Sequence, residues 1–233
     1  TVHSSKNLIE EERKIVRGLY DAEIRYVDEC IHEFVNTVLE RDSNTDTAII
    51  IASDHGELFG EHGSFGHPRQ VYHELVHVPL VILGNRIESN SISNPVENID
   101  IAPTLVDLLG KGSQNEFEGT SLFNEDSTER EYAISQASGE DEDVGISRIG
   151  VTTHSHHYTA EYTEFKKINE AIFKLRPGVS ARVEFEEIDK SVRSRLSEIA
   201  NRSIGTAADE TEAEENSSTS QAVQERLNDL GYK

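Results

Sequence analysis

Histidine, aspartate and glycine are concentrated in one short stretch of the chain, residues 53–67. It begins with Ser-Asp-His-Gly-Glu and continues through Gly-Glu-His-Gly to Gly-His. Asp54 and His55 offer a carboxylate oxygen and an imidazole nitrogen, which suit a divalent cation. Neighbouring residues on an extended strand point to opposite faces, so both side chains reach one ion only where strand geometry ends, and Gly56 makes that turn easy. Two ligands are too few for a metal site, so the others must come from elsewhere.

The competing interpretation of this stretch is a plain strand-end turn in which Asp54 caps a following helix. Short motifs match by chance often. The apolar run before Asp54 and the further His-bearing glycine turns after it favour the metal site. Glu57 and Glu61 are equally well explained as solvated helix charges, so neither receives a role.

The elements predicted to position this stretch form an α/β arrangement. Residues 47–52 and 78–83 are continuous apolar runs, typical of strands buried on both faces of a parallel sheet. Residues 103–110 begin with Pro and end with Gly, which predicts a short helix. Residues 10–40 carry apolar side chains at steps of three and four, which predicts a helix with one apolar stripe. The stripe comprises Tyr20, Ile24, Val27, Ile31, Phe34 and Val38.

The character of the sequence changes near residue 113. Residues 145–151 and 158–162 alternate like two strands around a polar turn, 183–188 predict a third strand, and 191–200 have helical spacing. An acidic, Ser/Thr-rich segment at 207–220 predicts a flexible linker before a last short helix at 222–230. These patterns divide the chain into an α/β core (1–112), a smaller α+β unit (113–206) and an acidic tail (207–233).

Histidines 154, 156 and 157 lie close together in the predicted hairpin turn. Three His within four residues raise the possibility of metal binding. Their place in a turn instead predicts exposed polar residues, which is the preferred interpretation.

The charge balance excludes several classes of function. The 233 residues contain 22 Lys and Arg against 44 Asp and Glu, a net charge of −22. Binding to nucleic acid is excluded because phosphate contacts need clustered Lys and Arg. No apolar run reaches the length of about 18 residues that a membrane helix needs. Acidic residues spread along the whole chain suit a high-salt environment, where their repulsion is screened.

The single cysteine, Cys30, excludes an internal disulfide framework. The chain begins with Thr1 and contains no Met, which we interpret as a piece of a longer protein. The compartment and the oligomeric state therefore stay open, with only a weak preference for the cytoplasm.

Taken in order, six segments resemble the sulfatase family of the alkaline-phosphatase superfamily. Any one of them is a weak signal, whereas six in the right order are specific. The similarity covers about residues 15–165 and the last few residues. The matching segments are 20–28, 53–63, 72–80, 96–105, 119–122 and 227–232.

The resemblance implies an alkaline-phosphatase-like α/β sandwich, present here as a partial core, followed by a small C-terminal α+β subdomain. It implies metal-dependent hydrolysis of a small-molecule or glycan sulfate ester. By position Asp54 and His55 would be metal ligands, and His67 would be a catalytic residue that contacts the sulfate group. Calcium is the ion implied. His55 departs from the Asn that the family often carries, which leaves zinc and manganese open.

The family's nucleophile is a formylglycine made from Cys or Ser in a Cys/Ser-x-Pro/Ala-x-Arg pattern. Cys30 is followed by Ile-His-Glu-Phe and does not fit that pattern. The resemblance therefore implies that the nucleophile and the other metal ligands lie outside this stretch. Two alternatives stay open. One is a phosphodiesterase or phosphoglycerol-type transferase of the same superfamily, which His55 and His67 support. The other is a non-catalytic, truncated sulfatase-like protein.

Overall fold

The computed structural model describes most of the chain and divides it into two compact units, Thr1–Ala133 and Ile134–Lys233. The division predicted near residue 112 stays a prediction. The described residues are 9–41, 47–84, 87–110, 117–124, 129–139, 143–164, 166–176, 179–182 and 187–215. The predicted helix at 222–230 lies outside them. Within them, no helix combines the length and the apolar content needed to cross a bilayer.

The first unit opens with the long helix α1, Glu10–Arg41, as the apolar spacing predicts. Three acidic residues in its first turn, Glu10–Glu12, complement the positive end of the helix dipole. The predicted stripe is only partly covered: Tyr20 packs edge-on against Phe59, with ring centroids 5.0 Å apart. Ile24, Val27 and Phe34 are each at least half exposed.

Two apolar runs form the strands β1, Ala48–Ala52, and β4, Leu80–Gly84. They pair antiparallel, with Ile50 opposite Ile82. The prediction of a parallel sheet is therefore wrong for this pair. Side chains on both strands are partly exposed, because among the described residues the sheet has two strands and its faces are incompletely covered.

Between β1 and β4 the chain forms a tight hairpin and one helical turn. The strands β2, Leu58–Phe59, and β3, Phe65–Gly66, pair antiparallel around a 3₁₀ turn at Glu61–Gly63. The helix α2, His73–Val76, follows. Leu58, Val71 and Leu75 are buried and form the apolar centre of this region.

The last helix of the first unit lies beside a buried ion pair between Asp100 and Arg130. This helix, α3, spans Ile101–Leu108 and follows a 3₁₀ turn at Asn98–Asp100. Asp100 is buried, and both of its carboxylate oxygens accept hydrogen bonds from Arg130, at 2.5 and 2.8 Å. The Asp100 Oδ1 atom also accepts from the Thr120 amide at 2.8 Å. Burial alone lowers the pKa of Arg130, but its bonds to Asp100 outweigh that effect and the net pKa is raised, so the Arg130 guanidinium stays charged.

The second unit is an antiparallel sheet in the order β5-β6-β7-β8-β9. Its strands are Tyr132–Ser138, Ile146–Thr153, His156–Thr163, Lys166–Arg176 and Val179–Arg182. The predictions of β6 and β7 are confirmed, whereas β5 and β8 were not predicted. The predicted strand at 183–188 lies mostly outside the described residues. Tyr158 and Tyr162 on β7 are among the most deeply buried side chains.

The helix α4, Lys190–Glu215, packs against β6 and β7. It is longer than the predicted helix at 191–200, so the prediction of a flexible linker beginning at residue 207 is wrong as far as Glu215. Alanine and glutamate, which dominate residues 207–215, are strong helix formers and extend the helix despite their charge.

The hairpin histidines have different surroundings. His154 is exposed, as predicted, but His157 is completely buried. The register places Thr152 opposite His157, and the Thr152 hydroxyl lies 2.8 Å from Nδ1 of the ring. The expectation of an exposed residue is therefore wrong for His157, because the turn ends one residue earlier and His157 already belongs to β7, where its ring contacts Phe173 of β8.

Candidate metal centre

The metal site predicted from the sequence lies on a turn at the end of β1, residues 53–56. The Ser53 hydroxyl donates to the His55 carbonyl at 2.8 Å, and the His55 amide donates to Asp54 Oδ1 at 2.9 Å. The Gly56 amide donates to the Leu75 carbonyl of α2 at 2.8 Å. These bonds replace strand pairing, so the chain leaves extended geometry directly after β1. This is the point at which Asp54 and His55 must leave a strand in order to reach one ion.

The turn brings the two predicted ligands together. His55 Nε2 and Asp54 Oδ2 are 3.7 Å apart. A cation at about 2.0–2.6 Å from each atom spans that separation. The hydrogen bond from the His55 amide lowers the pKa of Asp54, which keeps the carboxylate ionised. The donor pair therefore fits a divalent cation.

The other ring nitrogen of His55 fixes the tautomer. His55 Nδ1 lies 2.9 Å from the Gly56 carbonyl, which can only accept, so Nδ1 carries the hydrogen. In the neutral ring Nε2 then holds the free lone pair. This arrangement, one ring N–H on a backbone carbonyl and the other nitrogen open, is the one that histidine ligands of metals adopt.

His67 is brought to the same place by the hairpin. Leu58 pairs with Gly66, so the next residues outward, Glu57 and His67, face each other across the hairpin. Glu57 Oε2 lies 3.3 Å from His67 Nδ1. The His67 ring stacks on His55, with centroids 4.5 Å apart and planes 25° from parallel. The structure thus gathers all three predicted site residues, and His67 remains exposed to a ligand.

Two residues at this site received no role from the sequence. Glu57 orients His67 through the contact with Nδ1. A hairpin predicted from the glycines in this stretch, with its two-residue strands, could have placed Glu57 opposite His67. Asn98 donates from its side-chain amide to the Ser53 carbonyl at 3.0 Å and so anchors the first residue of the turn. Since 45 residues separate Asn98 and Ser53, no local pattern could have revealed their contact.

The ligand set is incomplete. Across the described ranges, no group of three or more His, Cys, Asp or Glu side chains is arranged to hold a metal ion. Asp54 and His55 therefore account for two donors, in agreement with the expectation that further ligands are needed.

Comparison with known proteins finds a family match in the first part of the chain. Residues 2–111 match the family model described as Sulfatase. Arylsulfatase K from Canis lupus familiaris is 32% identical over 124 residues, which is 53% of this chain and 23% of the relative. Choline-sulfatase from Rhizobium meliloti (strain 1021) is 35% identical over 104 residues, 45% of this chain and 20% of the relative. The chain thus spans about a quarter or less of the length of these curated relatives.

Two solved structures share the fold. BT4656, solved in complex with its substrate D-glucosamine-2-N,6-O-disulfate, superimposes with a TM-score of 0.60 at 21% identity over 80% of this chain and 40% of that chain. BT1596, a 2-O GAG sulfatase, gives a TM-score of 0.60 at 21% identity over 78% of this chain and 42% of that chain. The predicted alkaline-phosphatase-like α/β fold is confirmed.

Proposed function

We propose that this chain, whose residues 2–111 match the Sulfatase family model, supplies one half of the active site of a metal-dependent sulfate ester hydrolase. The observation that carries the proposal is the donor pair of Asp54 and His55, which are 3.7 Å apart at the end of β1 in the matched stretch. The nucleophile and the remaining metal ligands come from outside these residues. Members of the family generally use a divalent metal ion.

The chemistry of a sulfate ester explains why such a half-site is useful. As the ester bond breaks, negative charge moves onto the bridging oxygen. A divalent ion held by Asp54 and His55 would supply positive charge that stabilises the sulfate oxygens and the reactive form of the nucleophile. Calcium is the ion we propose, with zinc and manganese as alternatives because one of the two donors is an imidazole nitrogen.

His67 acts on the substrate directly in this proposal. Glu57 accepts from Nδ1 of the ring, and stacking on His55 fixes the plane of the ring. The two contacts direct the Nε2 edge of the ring, and in the protonated ring, where both nitrogens carry hydrogen, Nε2–H can donate to a sulfate oxygen. A protonated His67 can also transfer its Nε2 proton to the leaving oxygen as the ester bond breaks.

The substrate that we propose is a small-molecule or glycan sulfate ester. BT4656 was solved with a sulfated glucosamine as its substrate, and BT1596 is a 2-O GAG sulfatase. Both neighbours favour the glycan class of substrate. A phosphate ester is the second candidate, because two neighbouring imidazoles near a metal also suit phosphoryl chemistry. Spread acidic charge supports a third element of the proposal, namely that the protein works at high salt.

Cation binding tests the half-site without the missing nucleophile. Calcium, manganese and zinc are titrated separately into the chain while the amide and imidazole resonances are followed by NMR. We expect Asp54 and His55 to respond first and Asp54→Asn to weaken binding at least 10-fold, since a charged ligand is lost. Asp28→Asn, an exposed carboxylate on α1, is the matched control. Equal responses from Asp54→Asn and the control would contradict the metal site.

The reaction itself is tested on the natural polypeptide that contains these residues, after its intact mass has been measured. p-Nitrophenyl sulfate and p-nitrophenyl phosphate are assayed in parallel. We expect sulfate release that His67→Ala reduces and that His154→Ala, an exposed histidine in the second unit, leaves unchanged. Hydrolysis of the phosphate ester alone would support the second candidate. Hydrolysis of neither ester with any of the three metals would favour the non-catalytic alternative.

A further inference from the structure

A side-chain clasp made by His62, Tyr72 and Glu74 joins the glycine-rich hairpin to α2. His62 Nε2 donates to Glu74 Oε2 at 2.9 Å. The His62 ring also stacks on Tyr72, with centroids 3.9 Å apart and planes 11° from parallel. The side chains of His62 and Glu74 are only 16% and 22% exposed, so water competes little with their hydrogen bond. The clasp is therefore a specific connection and not a surface encounter.

His62 holds an uncommon backbone conformation to make these contacts. Its φ is 55° and its ψ is 18°, in the left-handed region that non-glycine residues rarely occupy. Gly60 and Gly63 near it also have positive φ, but they carry no side chain that resists. A strained residue of this kind persists where surrounding contacts over-determine it. Such contacts here are the hydrogen bond from His62 to Glu74 and the stacking of the His62 ring on Tyr72.

The backbone of α2 is in turn pressed against the candidate metal turn. The Gly56 amide donates to the Leu75 carbonyl at 2.8 Å. A Cβ atom at Gly56 would lie 2.1 Å from the Glu74 carbonyl oxygen, a non-bonded distance that real Cβ atoms essentially never show. The Gly56 backbone therefore packs directly on the Glu74 carbonyl, and the Gly56 carbonyl is the group that orients His55 through Nδ1.

We propose that the clasp positions the turn at residues 53–56, and that His62 and Glu74 are positioning residues for the metal ligands. This inference rests on the proposed function, in which that turn presents Asp54 and His55 to the ion. The connection runs in one continuous series of contacts from the His62 ring through the Glu74 side chain and backbone to Gly56 and the His55 ring. Each step is a hydrogen bond or a close contact.

Two variants separate the clasp from simple backbone strain. His62→Gly removes the ring but adopts the left-handed conformation without strain, so any loss comes from the missing contacts. Glu74→Gln keeps the shape and a neutral hydrogen bond, so a smaller effect is expected. His154→Gly, at an exposed hairpin position in the second unit, is the matched control.

The first measurement needs no metal. Amide hydrogen exchange at Gly56 is followed by NMR, with the Val151 amide in β6 as the reference for unfolding of the second unit. We expect about 10-fold faster exchange at Gly56 in His62→Gly, the size that follows from losing about one net hydrogen bond. Glu74→Gln should give a smaller increase, and His154→Gly none. Exchange at the wild-type rate in both clasp variants overturns the proposal.

The second measurement uses Mn²⁺ alone and reads its broadening of the Asp54 and His55 resonances. Loss of a group that orients a ligand typically weakens metal affinity about 10-fold or more. Faster Gly56 exchange together with weaker Mn²⁺ binding supports the positioning role. Unchanged Mn²⁺ binding despite faster exchange overturns it. If wild-type Asp54 and His55 do not respond to Mn²⁺ while exchange at Gly56 still accelerates, the clasp stands and the proposed metal site fails.

Discussion

Replacement of Glu170 by Gln is expected to destabilise the second unit in a way that depends on pH. Three donors converge on this carboxylate. Lys167 Nζ and the Tyr158 hydroxyl reach Oε2 at 2.6 and 2.5 Å, and Arg193 Nη2 reaches Oε1 at 2.7 Å. Burial raises the pKa of the Tyr158 hydroxyl, so it remains a donor throughout the accessible pH range. A glutamine at this position would leave two cations facing a neutral amide.

The size of the effect follows from the pKa of Glu170. Burial alone raises this pKa, but the bonds from Lys167, Tyr158 and Arg193 outweigh it and bring the pKa from 4.5 to about 2. At about 1.4 kcal/mol per pH unit, that difference amounts to about 3 kcal/mol in favour of the ionised form. The side chain keeps 18% exposure, so solvent screens part of the interaction. We expect Glu170→Gln to lower the free energy of unfolding by about 2 kcal/mol at pH 7.

The pH dependence has a definite sign. Because the folded pKa is below the ordinary value, the stabilisation is fully present above pH 4.5 and is lost as the pH falls from 4.5 towards 2. The difference between wild type and Glu170→Gln should therefore be constant from pH 7 to pH 5 and shrink below that. Urea unfolding measured on the amide resonances of β7 at several pH values gives this difference directly.

The matched control is Glu198→Gln on α4. Its carboxylate also faces an arginine, Arg202, but the two atoms are 3.4 Å apart and the Glu198 side chain is 71% exposed. An exposed i,i+4 pair contributes about 0.5 kcal/mol or less. Equal destabilisation by both variants, or a Glu170→Gln effect that does not change between pH 7 and pH 3, would show that the converging donors do not stabilise the fold.

Three further predictions concern the first unit and the charge of the chain. Gly56→Ala should abolish the response of His55 to Mn²⁺ in NMR spectra, because the added Cβ would lie 2.1 Å from the Glu74 carbonyl oxygen; a normal response would contradict the packing. Asn98→Ala removes the donor that lies 3.0 Å from the Ser53 carbonyl and should weaken Ca²⁺ binding about 10-fold by calorimetry. An unchanged affinity would show that the turn holds itself. Raising KCl from about 0.1 M to about 2 M should raise the melting temperature by several degrees, because salt screens the repulsion behind a net charge of −22; a decrease would argue against adaptation to high salt.

The elements that the sequence predicts well are those whose periodicity is strong. The helix α1 follows from apolar spacing, the strands β6 and β7 from alternation, and the strand β1 from a continuous apolar run. The same patterns carry no strand direction, so the antiparallel pairing of β1 with β4 could not be read from two apolar runs. The strand β8 was missed because Lys, Asn and Glu interrupt its apolar residues, and two of those polar residues, Lys167 and Glu170, bond to each other in the network around Glu170.

For the candidate site, the sequence predicts the functional residues but not the residues that support them. Residue types and motif order are sufficient to name Asp54, His55 and His67, and the structure brings these three together. The residues that hold them in place received no role from the sequence. Glu57 acts through the hairpin register, and Asn98 acts across 45 positions of sequence. Supporting contacts depend on which elements become neighbours, which is a property of the fold and not of any local pattern.

The incompleteness of the ligand set changes what cation binding to this chain can report. Two donors 3.7 Å apart hold an ion weakly compared with the four or more ligands of a complete site. The affinity of the chain should therefore be far below that of a finished active site, whatever the true metal. Its sensitivity to His62, Glu74 and Asn98 should nevertheless be retained, because these residues act on the geometry of the donor pair and not on the missing ligands. Weak binding that responds to all three positions is accordingly the result that a genuine half-site must give, whereas weak binding that responds to none is the result of a charged surface.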